Sequence, residues 1–166
     1  LDCGSNQAEE VRAMGRAGIE VIIIDHHVPT LLAEPLALVN PYRGQRIGRE
    51  LCTAGLALKF AQAWDPDALE RYVDVAAVGT LADYAPLVGE NRMFIRAGLA
   101  RLSRTPRLGL QRLCEAVRVT HASPEQVSRL LNTRLNAAGR LGYARPVWKL
   151  LPASPAWAVG TPVSCT

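Results

Sequence analysis

The stretch Val21-Ile22-Ile23-Ile24-Asp25-His26-His27 decides the fold of this 166-residue chain. Its first four residues are all β-branched, and such a short apolar run is typical of a strand buried on both faces of a parallel sheet. A carboxylate and two imidazoles follow immediately. Ligand-binding groups in open α/β sheets collect beyond the carboxyl ends of the strands, so this is a favourable position for a site. A histidine pair that simply ends a strand is the alternative, and the triplet alone does not decide between the two.

The segment before this run predicts a second strand and a helix. Residues 1–6 are expected to be the end of a strand running into a loop, and residues 7–17 a helix with Val11 and Met14 facing the core. Because such a crossover joins parallel strands, Asp2 is expected at the same sheet edge as His26. The predicted fold class is α/β, a parallel sheet flanked by helices and followed by connecting helices.

A third acidic position closes a long apolar helix. Asp65-Pro66 is predicted to supply the N-cap and first position of this helix, in which Asp74 can simply be an early-helix acid. Residues 73–82 are apolar on nearly every side, so this helix is predicted to be buried. Asp83 comes where the run ends, and a buried carboxylate there needs a hydrogen-bond partner or a cation. A polar residue at the helix boundary is the alternative. Asp2, His26 and Asp83 would form an oxygen-rich set with one imidazole, which suits Mn²⁺ or Mg²⁺.

Six stretches, taken in order, resemble the motifs of a known enzyme family. They are residues 1–6 (LDCGSN), 25–29 (DHHVP), 37–41 (ALVNP), 79–83 (GTLAD), 86–92 (PLVGENR) and 135–141 (LNAAGRL). The set resembles the DHH phosphoesterase superfamily, and the last two stretches favour its RecJ-like branch of single-strand-specific exonucleases. The resemblance covers about residues 1–150 of the chain.

The resemblance implies roles for seven residues. They are the metal ligands Asp2, His26 and Asp83, the catalytic residues Asp25 and His27, and the nucleic-acid contacts Asn136 and Arg140. Asp25 would orient an imidazole or contact the metal, and His27 would contact the scissile phosphate or stabilise its charge. An arginine on the nucleic-acid path makes physical sense, because its planar fork binds phosphate oxygens in pairs. Without the resemblance, Gly139-Arg140 would indicate a helix end beside a solvated charge.

The function implied by the resemblance is metal-dependent hydrolysis of phosphodiester bonds. The enzyme would be a 5′-to-3′ exonuclease on single-stranded DNA in DNA repair and recombination, with a single-strand-binding protein or a helicase as protein partner of the whole enzyme. Family members have an earlier strand ending in an Asp-x-Asp element that adds metal ligands, and no residue before Leu1 supplies it. We therefore expect a piece of a longer protein, with little nuclease activity of its own.

Two alternatives stay open. One is a DHH-type phosphoesterase that acts on small nucleotides, oligoribonucleotides or pyrophosphate. The other is a non-catalytic module that binds nucleic acid. The basic second half of the chain argues against the first alternative, and the retained acids and imidazole argue against the second for the whole protein.

Charge distribution independently favours a nucleic-acid partner. Residues 1–90 hold 13 acidic and 7 basic side chains (net −6), and residues 91–166 hold 2 and 12 (net +10), which together give the overall +4. An acidic half suits cations, and a basic half attracts phosphates. We expect a minority of one spaced arginine series to contact nucleic acid: Arg92, Arg96, Arg101, Arg104, Arg107, Arg112 and Arg118.

The chain is expected to divide into three parts. Residues 1–106 are interpreted as a partial DHH domain, residues 107–151 as a helical connector, and residues 152–166 as a disordered or aberrant tail. Further helices are predicted at 53–64, packed through Leu56 and Phe60, at 90–104 and at 108–117. Ser123-Pro124-Glu125-Gln126 has the form of a capping box that opens another helix.

Composition bears on the location of the protein. No stretch approaches the ~20 apolar residues that a membrane-spanning helix needs, so no membrane partner is expected. The four cysteines lie far apart and lack paired metal spacing, which predicts reduced thiols in a cytoplasmic protein.

Overall fold

Two short strands and a longer series of helices form the described part of the fold. The computed structural model describes residues 1–30, 34–44, 48–119, 121–140, 142 and 144–151. In chain order its elements are α1 (Ala8–Arg16), β1 (Ile22–Ile24), β2 (Ala37–Val39), α2 (Thr53–Gln62), α3 (Ala68–Ala82), α4 (Gly89–Leu102), α5 (Leu108–Ala116), α6 (Pro124–Gln126), a π-helical segment (Val127–Asn132), α7 (Thr133–Arg140) and α8 (Ala144–Leu150). The predicted tail, residues 152–166, lies outside the described residues.

The two strands pair in parallel, as the sequence predicts. Ile22, Ile23 and Ile24 of β1 lie opposite Ala37, Leu38 and Val39 of β2. Ile23 packs against the buried face of α1, whereas Ile24 packs among buried side chains of α2 and α3. Because successive strand residues point to opposite faces, β1 is covered on both sides. The α/β class with a parallel sheet and flanking helices is thus confirmed.

The strand expected at residues 1–6 is not formed. In the part of the chain that the structure describes, no strand precedes β1. The backbone of Asp2 has a φ of 66°, in the left-handed region that strands do not use. The N–H of Asp2 nevertheless donates to the carbonyl oxygen of Ile24 at 2.9 Å. Asp2 therefore lies beside the end of β1 without belonging to a strand.

Two predicted core positions are exposed. Met14 is 43% exposed, because α1 packs on Ile23 through Ala8 and Val11. The Phe60 ring is 39% exposed and lies beside the ring of Trp64, at a centroid distance of 6.3 Å. Helical periodicity predicts which residues share a face of the helix. How much of that face a neighbouring element covers depends on tertiary packing.

Helix α3 is buried, as predicted, and packs against both α2 and α4. It begins at Ala68, later than Asp65 and Pro66 suggest. The Asp65 carboxylate instead accepts a hydrogen bond from the N–H of Asp67 at 3.0 Å, which forms a turn before the helix. Asp74, which could be an early-helix acid, is fully buried and accepts a hydrogen bond from the Thr105 hydroxyl at 2.6 Å.

The predicted helix start at Ser123 is confirmed. The Ser123 hydroxyl accepts from the N–H of Gln126 at 3.2 Å. The Gln126 side chain completes no reciprocal bond to Ser123 and accepts instead from the N–H of His121 at 3.3 Å. The division of the chain at residues 106 and 107 stays a prediction. None of the helices in the described ranges is long and apolar enough to span a membrane.

Candidate metal centre

Asp25 organises the loop that follows β1. Its carboxylate is 1% exposed. One oxygen accepts the backbone N–H groups of His26 and His27 at 2.8 and 3.3 Å, and the other accepts the N–H of Ser5 at 3.0 Å. A buried carboxylate with this many donors is strongly stabilised in its ionised form. Asp25 therefore fixes the direction in which the two histidines leave the strand.

The Asp25 carboxylate also holds the ring of His27. The Nδ1 atom of His27 lies 2.7 Å from Oδ1 of Asp25. Burial alone would raise the pKa of Asp25, but the hydrogen bonds from the His27 ring and the Ser5 backbone outweigh it and hold that pKa well below its usual range. The bond to Asp25 in turn raises the pKa of His27. An ionised carboxylate only accepts, so Nδ1 of His27 carries the proton and Nε2 faces away from Asp25.

Asn40 completes the support of this loop, and sequence reasoning gave it no role. It is buried, and its side-chain N–H₂ group donates to the Ser5 hydroxyl and to the carbonyl oxygen of His27, both at 2.9 Å. The signal was present in the stretch 37–41, which places an asparagine directly after β2. A buried amide with two such bonds ties the loop after β1 to the turn that precedes α1.

The imidazole of His26 lies between two carboxylates. Its Nε2 atom is 3.5 Å from Oδ1 of Asp2, and its Nδ1 atom is 3.7 Å from Oδ2 of Asp83. Asp2 is held by its bond to Ile24, and Asp83 is the residue at which α3 ends. The three side chains that the sequence suggests as ligands therefore meet, although each comes from a different segment.

The donor atoms fit a hard divalent cation. Among the described residues, Asp2, His26 and His27 each offer a ligand atom, and these atoms all lie within 4.8 Å of one another. Asp83 lies outside that group and faces the opposite nitrogen of the His26 ring. One imidazole nitrogen binds one ion, so a shared ion would need Asp83 or the ring to turn. Carboxylates with imidazole are ligands that Mn²⁺ accepts readily.

An open cavity of about 350 Å³ adjoins this centre. Asp2 and Asp83 line it, together with Asn136 from α7. Asn136 is one of the two predicted nucleic-acid contacts. The other, Arg140, is exposed at the end of the same helix and is not among the residues that line the cavity. The remaining lining residues, which sequence reasoning did not single out, are Cys52, Thr53, Ala54, Gly79 and Ala82.

Comparisons with known proteins show the family to which this chain is similar. Residues 1–80 match the model of the DHH family, N-terminal domain. The chain is 39% identical over 156 residues to the single-stranded-DNA-specific exonuclease RecJ of Thermus thermophilus, an alignment that covers 91% of this chain and 23% of that protein. This chain is a RecJ-like DHH protein.

Solved structures of RecJ share the fold of this RecJ-like chain. The crystal structure of Thermus thermophilus RecJ in complex with Mn²⁺ matches with a TM-score of 0.84 and 35% identity, covering 96% of this chain and 26% of that one. The complex with Mg²⁺ matches with a TM-score of 0.71 and 36% identity, covering 86% and 23%. The chain thus spans about a quarter of the length of these relatives.

Two arginines of the predicted series have structural partners in this RecJ-like chain. The Nε atom of Arg107 lies 3.4 Å from Oδ1 of buried Asp74, and its guanidinium stacks over the ring of Tyr72. Arg112 pairs with Glu115 at 3.0 Å on the surface of α5. Both are thereby less available to phosphates. The expectation that a minority of the series contacts nucleic acid stays a prediction.

Proposed function

We propose that this chain provides metal ligands and nucleic-acid contacts of a 5′-to-3′ exonuclease that hydrolyses single-stranded DNA in repair and recombination, in the cytoplasm. The observation that carries the proposal is the meeting of Asp2, His26 and Asp83 beside a cavity that Asn136 also lines. The similarity to RecJ proteins over most of the chain supports the choice of substrate. A single-strand-binding protein or a helicase is the proposed protein partner.

Asp2, His26 and Asp83 are the proposed ligands of Mn²⁺ or Mg²⁺. The two carboxylates bring the negative charge, and the imidazole brings a neutral nitrogen. A cation held there would polarise a phosphate oxygen. It would also lower the pKa of a bound water, so that a hydroxide nucleophile can form near neutral pH. The metals named in the RecJ structures support this choice of ion.

Asp25 and His27 are proposed to act on the phosphate as a pair. Asp25 is buried and has no open path to a substrate, so it is a positioning residue that fixes the ring of His27. In its imidazolium form, which the raised pKa of His27 favours, the ring also carries a proton on Nε2 and can donate it in a hydrogen bond to a phosphate oxygen. Asn136 and Arg140 are proposed to bind the nucleic acid further along α7, through an amide and a planar cation.

Metal binding is the first test. Titration of the chain with Mn²⁺, followed by the electron paramagnetic resonance signal of free Mn²⁺, should show a bound ion. Asp2→Asn and His26→Ala should each weaken binding by about tenfold or more, because even the loss of a group that only supports a ligand costs about that much. His121→Ala is the matched control, because His121 is an exposed histidine beside α6. Equal affinity in all four proteins would contradict the proposed ligands.

Catalysis is tested in a chimera. Residues 1–151 of this chain would replace the matching segment of Thermus thermophilus RecJ, to which they are 39% identical. The chimera should release nucleotides from single-stranded DNA with Mn²⁺, and its His26→Ala variant should not. A folded chimera that cleaves only small phosphoesters would favour the small-substrate enzyme. One that binds DNA but cleaves nothing would favour the non-catalytic module.

DNA binding is tested on the same chimera with single-stranded oligonucleotides over a salt series. Arg140→Ala should weaken binding and reduce the slope of log affinity against log salt by roughly one phosphate contact. Arg16→Ala, at the exposed end of α1, is the matched control. If the Arg140 and Arg16 variants behave alike, the proposed DNA contact is wrong.

A further inference from the structure

The first turn of α2 faces the same cavity as the candidate metal ligands. Thr53 and Ala54, the first two residues of this ten-residue helix, line the cavity together with Asp2 and Asp83. The first N–H groups of any helix have no partner within the helix, and they carry the positive end of its dipole. Such a terminus binds anions when nothing else occupies its N–H groups.

No side chain caps this terminus. The residue at the capping position is Cys52, whereas serine, threonine, aspartate and asparagine are the residues that normally accept from the first-turn N–H groups. The Cys52 thiol points elsewhere and donates to the Thr80 hydroxyl at 3.5 Å. In the described parts of the chain, the backbone N–H groups of Thr53 and Ala54 have no hydrogen-bond acceptor.

The Thr53 side chain provides a second and independent sign of a ligand. Thr53 is only 7% exposed, and its hydroxyl is buried with no hydrogen-bond partner among the described residues. An unpaired buried hydroxyl is costly, so it is seldom kept unless something binds it. Thr53 also lines the cavity, so the unpaired hydroxyl and the first N–H groups of the helix belong to the same short stretch of its wall.

We propose that the α2 terminus and the Thr53 hydroxyl bind a phosphate group of the nucleic acid, next to the metal. The inference rests on the proposed function and extends it by assigning a separate phosphate subsite. Asp2 and Asp83 line the same cavity and repel an anion while no cation lies between them. Phosphate binding at α2 is therefore coupled to metal binding, and each strengthens the other.

Packing between α2 and α3 fixes the distance between the two subsites. A Cβ atom at Gly79 of α3 would lie 2.7 Å from the Cβ of Ala54, so the helices touch at this glycine. The carbonyl oxygen of Gly79 accepts the N–H of Asp83 at 3.0 Å. The end of α3 that carries a candidate ligand is thereby held against the first turn of α2.

The test uses inorganic phosphate and the Mg²⁺-loaded chain, at constant ionic strength set with sodium chloride. Amide resonances of Thr53 and Ala54 should shift downfield in ¹⁵N-resolved NMR spectra, whereas those of Ala8 and Glu9, in the first turn of α1, should not. Thr53→Val keeps the shape of the side chain and should weaken phosphate binding by about tenfold or more, the effect of losing a bond to a charged group. Thr53→Ser should restore it.

A metal-free measurement separates this inference from the proposed function. In Asp2→Asn/Asp83→Asn protein the repelling charges are gone, so phosphate should shift the same amides without Mg²⁺. If wild-type chain binds no Mg²⁺ but this variant shows the shifts, the metal site is wrong and the phosphate subsite stands. If the amides of Thr53 and Ala54 stay unmoved in both proteins, or Thr53→Val binds phosphate as wild type does, the subsite is overturned.

Discussion

The backbone N–H of Asp2 donates to the carbonyl oxygen of Ile24 at 2.9 Å, and this bond places the Asp2 carboxylate beside His26. Asp2 reaches that position with a φ of 66°. Aspartate and asparagine tolerate this left-handed conformation because their short polar side chains bond locally, whereas most other residues are strained in it. The residue type at position 2 thus serves both the backbone and the proposed metal.

Substitutions at Asp2 should separate these two roles. Asp2→Asn removes the charge but keeps the conformational tolerance, so Mn²⁺ affinity should fall while the free energy of unfolding stays nearly constant. Asp2→Ala should lose the same affinity and also destabilise the fold by about 1 kcal/mol, the cost of the left-handed conformation. Urea unfolding beside Mn²⁺ titration measures both quantities. Equal stability of the two variants would show that residue 2 carries no backbone constraint.

Asp25→Asn should change how stability depends on pH. The folded state holds the pKa of Asp25 below its usual value of about 4. As pH falls below that value, the unfolded state takes up a proton that the folded state does not, so the carboxylate's contribution to stability is lost. Unfolding free energies measured by urea between pH 3 and pH 7 should fall more steeply toward acid in wild type than in Asp25→Asn.

The same variant should be less stable than wild type at pH 7. One carboxylate oxygen becomes an N–H₂ group, which only donates, so the remaining oxygen cannot accept from both the ring of His27 and the N–H of Ser5. A buried donor left without an acceptor costs about 1–3 kcal/mol. Parallel pH curves for wild type and variant would contradict the assignment of a lowered pKa to Asp25.

Asp74 should prove structural. It accepts from the Thr105 hydroxyl at 2.6 Å and lies 3.4 Å from Nε of Arg107, which connects α3 to the segment before α5. Asp74→Ala leaves the arginine, which is mostly buried, without its carboxylate, and removing one partner of such a pair costs about 3–5 kcal/mol. Chemical denaturation should show this loss, while Mn²⁺ affinity stays unchanged at temperatures where the variant is folded. A weakened metal site in the folded variant would contradict a purely structural role.

The meeting of Asp2 and His26 could be anticipated because it depends on local features that the sequence states directly. A buried apolar run followed by Asp25-His26-His27 fixes where the strand ends, and the parallel partner fixes the edge of the sheet. The proposed phosphate subsite could not be anticipated, because it depends on the meeting of two helix ends. No residue at 52–54 signals an anion site, and only the cavity places Thr53 beside Asp83.

The errors in the fold have a common physical cause. Periodicity correctly placed α1 and α2, but the sequence does not state how far a neighbouring element extends over a helix, so Met14 and Phe60 were assigned to the core. Asp74 was undervalued for the same reason. Its partners Thr105 and Arg107 lie far along the chain, and no local pattern connects them to α3.

The contact between α3 and α4 depends on Gly98. A Cβ atom there would collide with the Cβ of Ala77 and with the carbonyl oxygen of Val73, and the latter is backbone that cannot move aside. Replacing glycine by alanine within a helix stabilises the fold by up to about 1 kcal/mol, but overpacking a buried contact destabilises it by about 1–3 kcal/mol. The collision involves a backbone atom, so the cost should prevail and Gly98→Ala should lower the midpoint of urea unfolding.

Gly15→Ala is the matched control for that measurement. Gly15 lies within α1, and a Cβ atom there would meet nothing within 4 Å. Only the higher helix propensity of alanine then acts, so the free energy of unfolding of this variant should rise by about 0.5–1 kcal/mol. A lower free energy of unfolding for Gly98→Ala and a higher one for Gly15→Ala would show that the close approach of α3 and α4, and not glycine's flexibility, sets the requirement at position 98. A Gly98→Ala protein as stable as Gly15→Ala would show that the two helices can separate freely.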